Sequence, residues 1–69
     1  MRNQERYDRA MERVRWYLDF HKAPVWLVPV EDGYLVAIND PDPCLLPKGT
    51  RAVKYGPGMV ELASVEARK

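Results

Sequence analysis

Residues 4–21, QERYDRAMERVRWYLDFH, decide the fold of this chain because their apolar side chains recur at helical spacing. The stripe consists of Tyr7, Met11, Val14, Leu18 and His21. Steps of three and four residues place such side chains on one face of an α-helix. Pro24 pushes the residue before it toward extended geometry, so the helix cannot continue past it. We therefore predict a helix over about residues 4–22.

A β-hairpin is predicted over about residues 25–39, VWLVPVEDGYLVAIN, where the period changes from helical to extended. The acidic turn at residues 31–33 ends in Gly33, which tolerates a positive φ. Pro29 has no backbone N–H and predicts that the first strand lies at an edge or is bulged near its end.

Proline divides the rest of the chain into a loop over residues 40–49 and a second hairpin over about residues 50–65, with a tail over residues 66–69. Cys44, Leu45 and Leu46 form an apolar plug in the loop. The composition of residues 59–69 also suits a helix. A short C-terminal helix in place of the last strand is thus the alternative. The predicted fold class is α+β: one domain, 1–69, with a long N-terminal helix packed on a small antiparallel sheet of two hairpins.

Composition indicates a globular domain without a cofactor or a metal. The chain has 69 residues, of which 46% are hydrophobic and 30% are charged. Its single cysteine, Cys44, excludes an internal disulfide, and Cys44 with His21 is too small a set for zinc. A reducing cytoplasm is the expected location. The longest apolar stretch, residues 23–30, is too short to span a bilayer, so no membrane partner is predicted.

Charge is unevenly distributed, although the net charge is only +1. Residues 1–22 carry six basic and four acidic groups, residues 31–42 carry four acids, and residues 43–69 carry five bases and two acids. An all-basic surface for a phosphate backbone is not required by these numbers. Nucleic acid is accordingly a less favoured partner than protein.

No catalytic constellation assembles from the sequence, which predicts that the chain is not an enzyme. Cys44 and His21 are the only thiol and imidazole, but Cys44 between prolines is typical of a small apolar filler, and His21 suits the carboxyl end of a helix. Asp40 and Asp42 alternate with prolines, as turn residues do.

A second row of side chains on the helix is the best candidate contact surface. It consists of Arg2, Arg6, Arg9, Arg13, Trp16 and Phe20. At 100° per residue this row lies roughly 140° from the apolar stripe. Arginine beside large rings is a composition enriched at protein interfaces. We predict that Arg6, Arg9, Arg13, Trp16 and Phe20 bind a partner.

A purely structural role for the same row is the competing interpretation. The C-terminal segment would then cover Trp16 and Phe20, and the arginines would pair with Glu5 and Glu12 on a solvated face.

The function that these observations favour is non-catalytic protein binding, to a host or regulatory protein or to a second copy in a homodimer. Analogy of size alone suggests the role of an accessory or inhibitor protein encoded by a mobile element such as a phage. The first alternative is a nucleic-acid-binding module that uses the same row. The second is a metal-independent ribonuclease toxin using Arg51, Lys54 and Tyr55, although strand alternation separates Lys54 from the other two.

Overall fold

One long helix is followed by four strands and a single 3-10 turn in the computed structural model, which describes residues 2–68 and the side chains of residues 4–68. The elements are α1 (Arg2–His21), β1 (Val25–Val30), β2 (Gly33–Ala37), η1 (Pro43–Leu45), β3 (Arg51–Gly56) and β4 (Val60–Glu66). The predicted α+β class is confirmed, because α1 packs on a four-stranded antiparallel sheet. The C-terminal segment is a strand, so the alternative with a second helix is wrong.

The two hairpins join through β1, which gives the sheet the order β2-β1-β3-β4. The expectation that Pro29 marks an edge strand is wrong, since β1 is an interior strand. Pro29 is tolerated because the ladder from β1 to β3 includes only Val25, Trp26 and Leu27, whereas Pro29 pairs with Tyr34 on the β2 side. The edges of the sheet are thus β2 and β4, and β3 lies inside it.

Five described residues have a positive φ, and three of them, Lys22, Gly33 and Gly58, illustrate how the chain turns between elements. Lys22, just after α1, has a φ of 57° and donates its N–H to the Leu18 carbonyl at 3.0 Å, which ends the helix. Gly33 closes the first hairpin with a φ of 150°. Gly58, with a φ of 83°, follows Pro57 in the β3–β4 turn, as in a type II turn.

The larger core cluster lies between α1 and the sheet. It contains Ala10, Val14, Leu18, Val25 and Leu27. Val14 and Val25 are fully buried, and α1 contacts β1 and β2. Most of the predicted helical stripe therefore packs against these two strands, although His21 is exposed at the end of α1.

A smaller cluster covers the opposite face of the sheet. Trp26, Leu46 and Ala52 are buried together, and the Trp26 indole N–H donates to the Asp40 carboxylate at 3.1 Å. Of the predicted apolar plug only Leu46 is buried, since Cys44 and Leu45 are exposed. The loop turns at η1 and presents just one of the three side chains to the sheet.

Among the described residues, no helix is both long enough and apolar enough to cross a membrane.

The smaller cluster should contribute to stability through Leu46. Leu46→Ala should lower the free energy of unfolding by about 2 to 4 kcal/mol, because Leu46 is 4% exposed and packs on Trp26. Leu45→Ala, at a side chain that is 81% exposed, is the matched control and should cost less than about 0.5 kcal/mol. Urea unfolding followed by tryptophan fluorescence measures both. Equally small effects would show that the loop is not part of the cooperative core.

Candidate protein-binding groove

The charged side chains of α1 are segregated into two flanks. At 100° per residue, Arg6, Arg9 and Arg13 fall on one side of the helix, and Asp8, Glu12 and Asp19 lie roughly 110° further round. These six side chains are all exposed. One flank of α1 is thus basic and the other largely acidic.

The basic flank faces β2, and the two elements form the walls of a groove. This groove has a volume of about 250 Å³. Its lining is Arg6, Arg9, Ala10, Arg13, Asp32, Gly33, Tyr34 and Val36. At one end, the Arg6 guanidinium donates a hydrogen bond to the Asp32 carbonyl oxygen. A Cβ on Gly33 would lie 3.3 Å from Arg6 Cδ, so glycine lets α1 approach the turn closely.

Trp16 and Phe20 are exposed at the other end of α1. Their exposed fractions are 55% and 69%, and their rings stack with centroids 4.7 Å apart at 35°. The competing interpretation, in which the C-terminal segment covers both rings, is wrong. That segment is β4, which lies at the opposite edge of the sheet from β2.

The groove continues from the arginines to the aromatic pair. A second section of about 360 Å³ is lined by Arg13, Trp16, Tyr17, Val36, Ala37 and Ile38. It shares Arg13 and Val36 with the first section. Ile38 is 63% exposed. A basic half and an apolar half therefore form one continuous surface.

Four of the five predicted contact residues line this groove, and the fifth, Phe20, stacks on one of them. The side chain of Arg2 lies outside the part of the chain that is described. Sequence reasoning missed the contribution of Gly33 and Val36 in β2 and of Ile38, which directly follows β2. The signal available was Ile38, a large apolar residue placed directly before the polar loop. Only the strand order shows that it lies next to α1.

A second concave surface lies on the same face of the sheet, over β3. Tyr7 and Tyr34 pack edge to face there, with ring centroids 5.4 Å apart. Arg51 and Tyr55 line this surface, whereas the Lys54 ammonium lies over the Trp26 ring, 5.9 Å from its centroid. Because Trp26 belongs to the cluster on the other face, the trio of the ribonuclease alternative is divided between the two faces of the sheet.

The remaining candidate residues occupy structural positions. Asp42 accepts from the Cys44 amide at 2.9 Å and caps η1, as turn residues do. His21 stacks on Tyr17 with ring centroids 4.3 Å apart at the end of α1. Cys44 lies in η1 and is exposed, so its predicted role as a buried filler is wrong. Burial of Leu46 in its place leaves Cys44 facing solvent.

Within residues 2–68, no group of three or more His, Cys, Asp or Glu side chains is arranged to hold a metal ion. Comparison of the chain with protein-family models, with curated proteins and with solved structures gives no match.

Tyr55, on the concave surface over β3, should make the stability of the fold depend on pH. Burial raises the pKa of Tyr55, the neighbouring Tyr7 raises it further, and so does the charge of Glu61, while Arg51 opposes the rise. The unfolded state loses this phenolic proton near pH 10.0, below the pH at which the folded state does. The stability contributed by Tyr55 is thus present below pH 10.0 and lost as the pH rises through the folded pKa.

Tyr55→Phe should accordingly lose less stability than the unsubstituted protein between about pH 8 and about pH 11. Urea unfolding at the two pH values measures the difference. An identical alkaline loss in both proteins would contradict the raised pKa.

Proposed function

We propose that the chain is a non-catalytic protein-binding module that contacts its partner through the groove between α1 and β2. The groove is defined by Arg6, Arg9, Arg13 and Trp16 on the helix and by Val36 and Ile38 on the β2 side, and Phe20 extends it. The observation that carries this proposal is the continuity of three exposed arginines with three exposed large apolar side chains.

The exposure of these apolar side chains is costly in so small a chain. Leaving a large apolar side chain in water forgoes on the order of 1.5 to 3 kcal/mol. Trp16, Phe20 and Ile38 are each more than half exposed. A partner that covers them would recover this free energy, and adjacent exposed rings with arginine are typical of residues that dominate binding energy.

Binding is favoured over catalysis by where the reactive side chains lie. Cys44 is in the loop that covers one face of the sheet, while His21 ends the helix on the other. Tyr55, whose pKa is raised, keeps its proton at neutral pH and is a poor general base. A nucleophile or a base would also need an orienting group within hydrogen-bonding distance.

The charge of the groove favours an acidic partner over a second copy of the chain. A two-fold contact centred on the groove would bring Arg6, Arg9 and Arg13 of both copies together, and like charges oppose such pairing. Carboxylates of a different protein would instead meet the planar guanidinium groups, which bind them with two parallel hydrogen bonds. Binding of this kind would be sufficient for an inhibitor or accessory protein, for example one encoded by a phage, because such a protein acts by covering a surface of its partner.

The double variant Trp16→Ala, Phe20→Ala should lose binding while keeping its melting temperature, because both rings are exposed. At an interface hot spot each truncation costs about 2 kcal/mol or more in binding. The partner would be trapped in the native cell by a photo-crosslinking amino acid at position 20, with position 62 on β4 as the comparison site. Affinity would then be measured with the purified partner by calorimetry.

Val60→Ala, Leu62→Ala is the matched control, since these side chains of β4 are 55% and 52% exposed, close to the 55% of Trp16, and lie outside the groove. The control should keep its affinity. A large fall in the melting temperature of the groove variant would show that the rings belong to the core. Unchanged affinity in a stably folded groove variant would show that this surface does not bind.

Nucleic acid is the runner-up partner, because arginines beside exposed rings also suit stacking on bases. With ten acidic residues against eleven basic ones, binding should be weak and should fade between about 50 mM and about 200 mM salt. Fluorescence anisotropy with single-stranded and duplex probes measures this. Tight, sequence-selective binding at physiological salt would replace the protein-binding proposal.

A further inference from the structure

The β2 strand offers backbone hydrogen-bonding groups to the groove. It is an edge strand that pairs with β1 on its inner side, from Gly33 to Ala37. In an antiparallel strand, alternate residues direct their N–H and C=O groups to opposite sides. Half of the backbone groups of β2 therefore point outward, along the side of the sheet where the basic flank of α1 lies.

The two edges of the sheet differ in how well they resist the addition of a strand. Edge strands are commonly protected by charged side chains, proline or a bulge. β4 carries Glu61 and Glu66, and its ladder with β3 shifts register between Lys54 and Tyr55. The sequence of β2, GYLVA, has no charge and no proline, and its ladder with β1 is regular. Of the two edges, β2 is the open one.

From these features we propose that the groove takes an extended acidic segment of a partner protein, which adds to β2 as a fifth strand. This inference rests on the protein-binding function proposed above and specifies its ligand. Main-chain hydrogen bonds to β2 would supply affinity, and the side chains directed at α1 would supply selectivity.

The spacing of the groove residues matches the repeat of a strand. Arg6 and Arg13 are about 10.5 Å apart along the helix axis, and Trp16 is about 15 Å from Arg6. Side chains on one face of a strand recur about every 6.7 Å, so three of them span about 13 Å. Two carboxylates and one large apolar side chain at alternate positions thus fit the arginines and the aromatic end.

The direction of β2 sets the order of those residues. Gly33 lies beside Arg6, and Ile38 lies beside Trp16, so β2 and α1 run the same way along the groove. Antiparallel pairs are the more common and slightly more stable arrangement. A segment antiparallel to β2 begins at the aromatic end. The ligand is therefore a large apolar residue followed by acidic residues two and four positions later.

The test uses the synthetic peptide TFTETET, fluorescently labelled, with the full chain. Its phenylalanine and two glutamates share one strand face, whereas in the control peptide TFETETT the glutamates fall on the other face. TFTETET should bind, and TFETETT should bind about tenfold more weakly. Arg9→Ala, Arg13→Ala should weaken the binding of TFTETET by about tenfold or more, and Arg15→Ala, on the far side of α1, should not.

Backbone methylation distinguishes a strand from any other bound form. Two versions of TFTETET would carry N-methyl groups on alternate residues, one at the phenylalanine and glutamates and one at the threonines. In a strand only one of these sets points its N–H groups at β2, so one version should bind and the other should lose about tenfold in affinity. Amide hydrogen exchange should slow in β2 on binding and remain unchanged in β4.

Equal tolerance of both methylated peptides, with no protection of β2, would overturn strand addition. If TFTETET fails to bind, the acidic-strand ligand is wrong. In either case the proposed protein-binding function is tested separately. It is supported if Trp16→Ala, Phe20→Ala abolishes binding to the crosslinked partner, and contradicted if binding is unchanged. Loss of binding to that partner together with insensitivity to peptide methylation would mean a groove contact of another shape.

Discussion

Burial of β1 on both faces is the constraint on which the rest of the structure depends. Val25 and Leu27 are covered by α1, and Trp26 between them is covered by the loop that carries Leu46. All three are at most 4% exposed. Because β1 also joins the two hairpins, the helix, the loop and both halves of the sheet are held by this one strand. Both core clusters of the described residues therefore include side chains of β1.

The position of the groove follows from this arrangement. α1 lies on β1 and β2, so its basic flank comes beside the outer edge of β2. Had the helix crossed β3 and β4 instead, the arginines would have met Glu61 and Glu66, and the edge of β2 would have had no charged wall. The packing of α1 on β1 and β2 thereby places the arginines, the aromatic rings and the open edge of β2 on one surface.

The large exposed apolar side chains of the groove lie outside the buried core. The buried apolar set is small, and Trp16, Phe20 and Ile38 lie outside it. A domain with marginal stability would gain from covering such residues, and their exposure is the feature on which the proposed binding function rests. The loop on the other face of the sheet, in contrast, does bury an apolar side chain. It turns at η1 so that Leu46 is buried, while Cys44 and Leu45 are exposed to solvent.

The sequence by itself determined the helix and both hairpins, because these depend on local periodicity and on the positions of proline and glycine. It also determined which side chains share one row of the helix, because that depends only on their spacing: Arg6, Arg9, Arg13, Trp16 and Phe20. Only the tertiary structure decided the order of the strands and the interior position of β1, which contains Pro29. It also decided that the arginine row lies beside β2. These features arise from contacts between segments distant in the chain. The free energy of such contacts depends on which faces are buried together, and no local pattern encodes that.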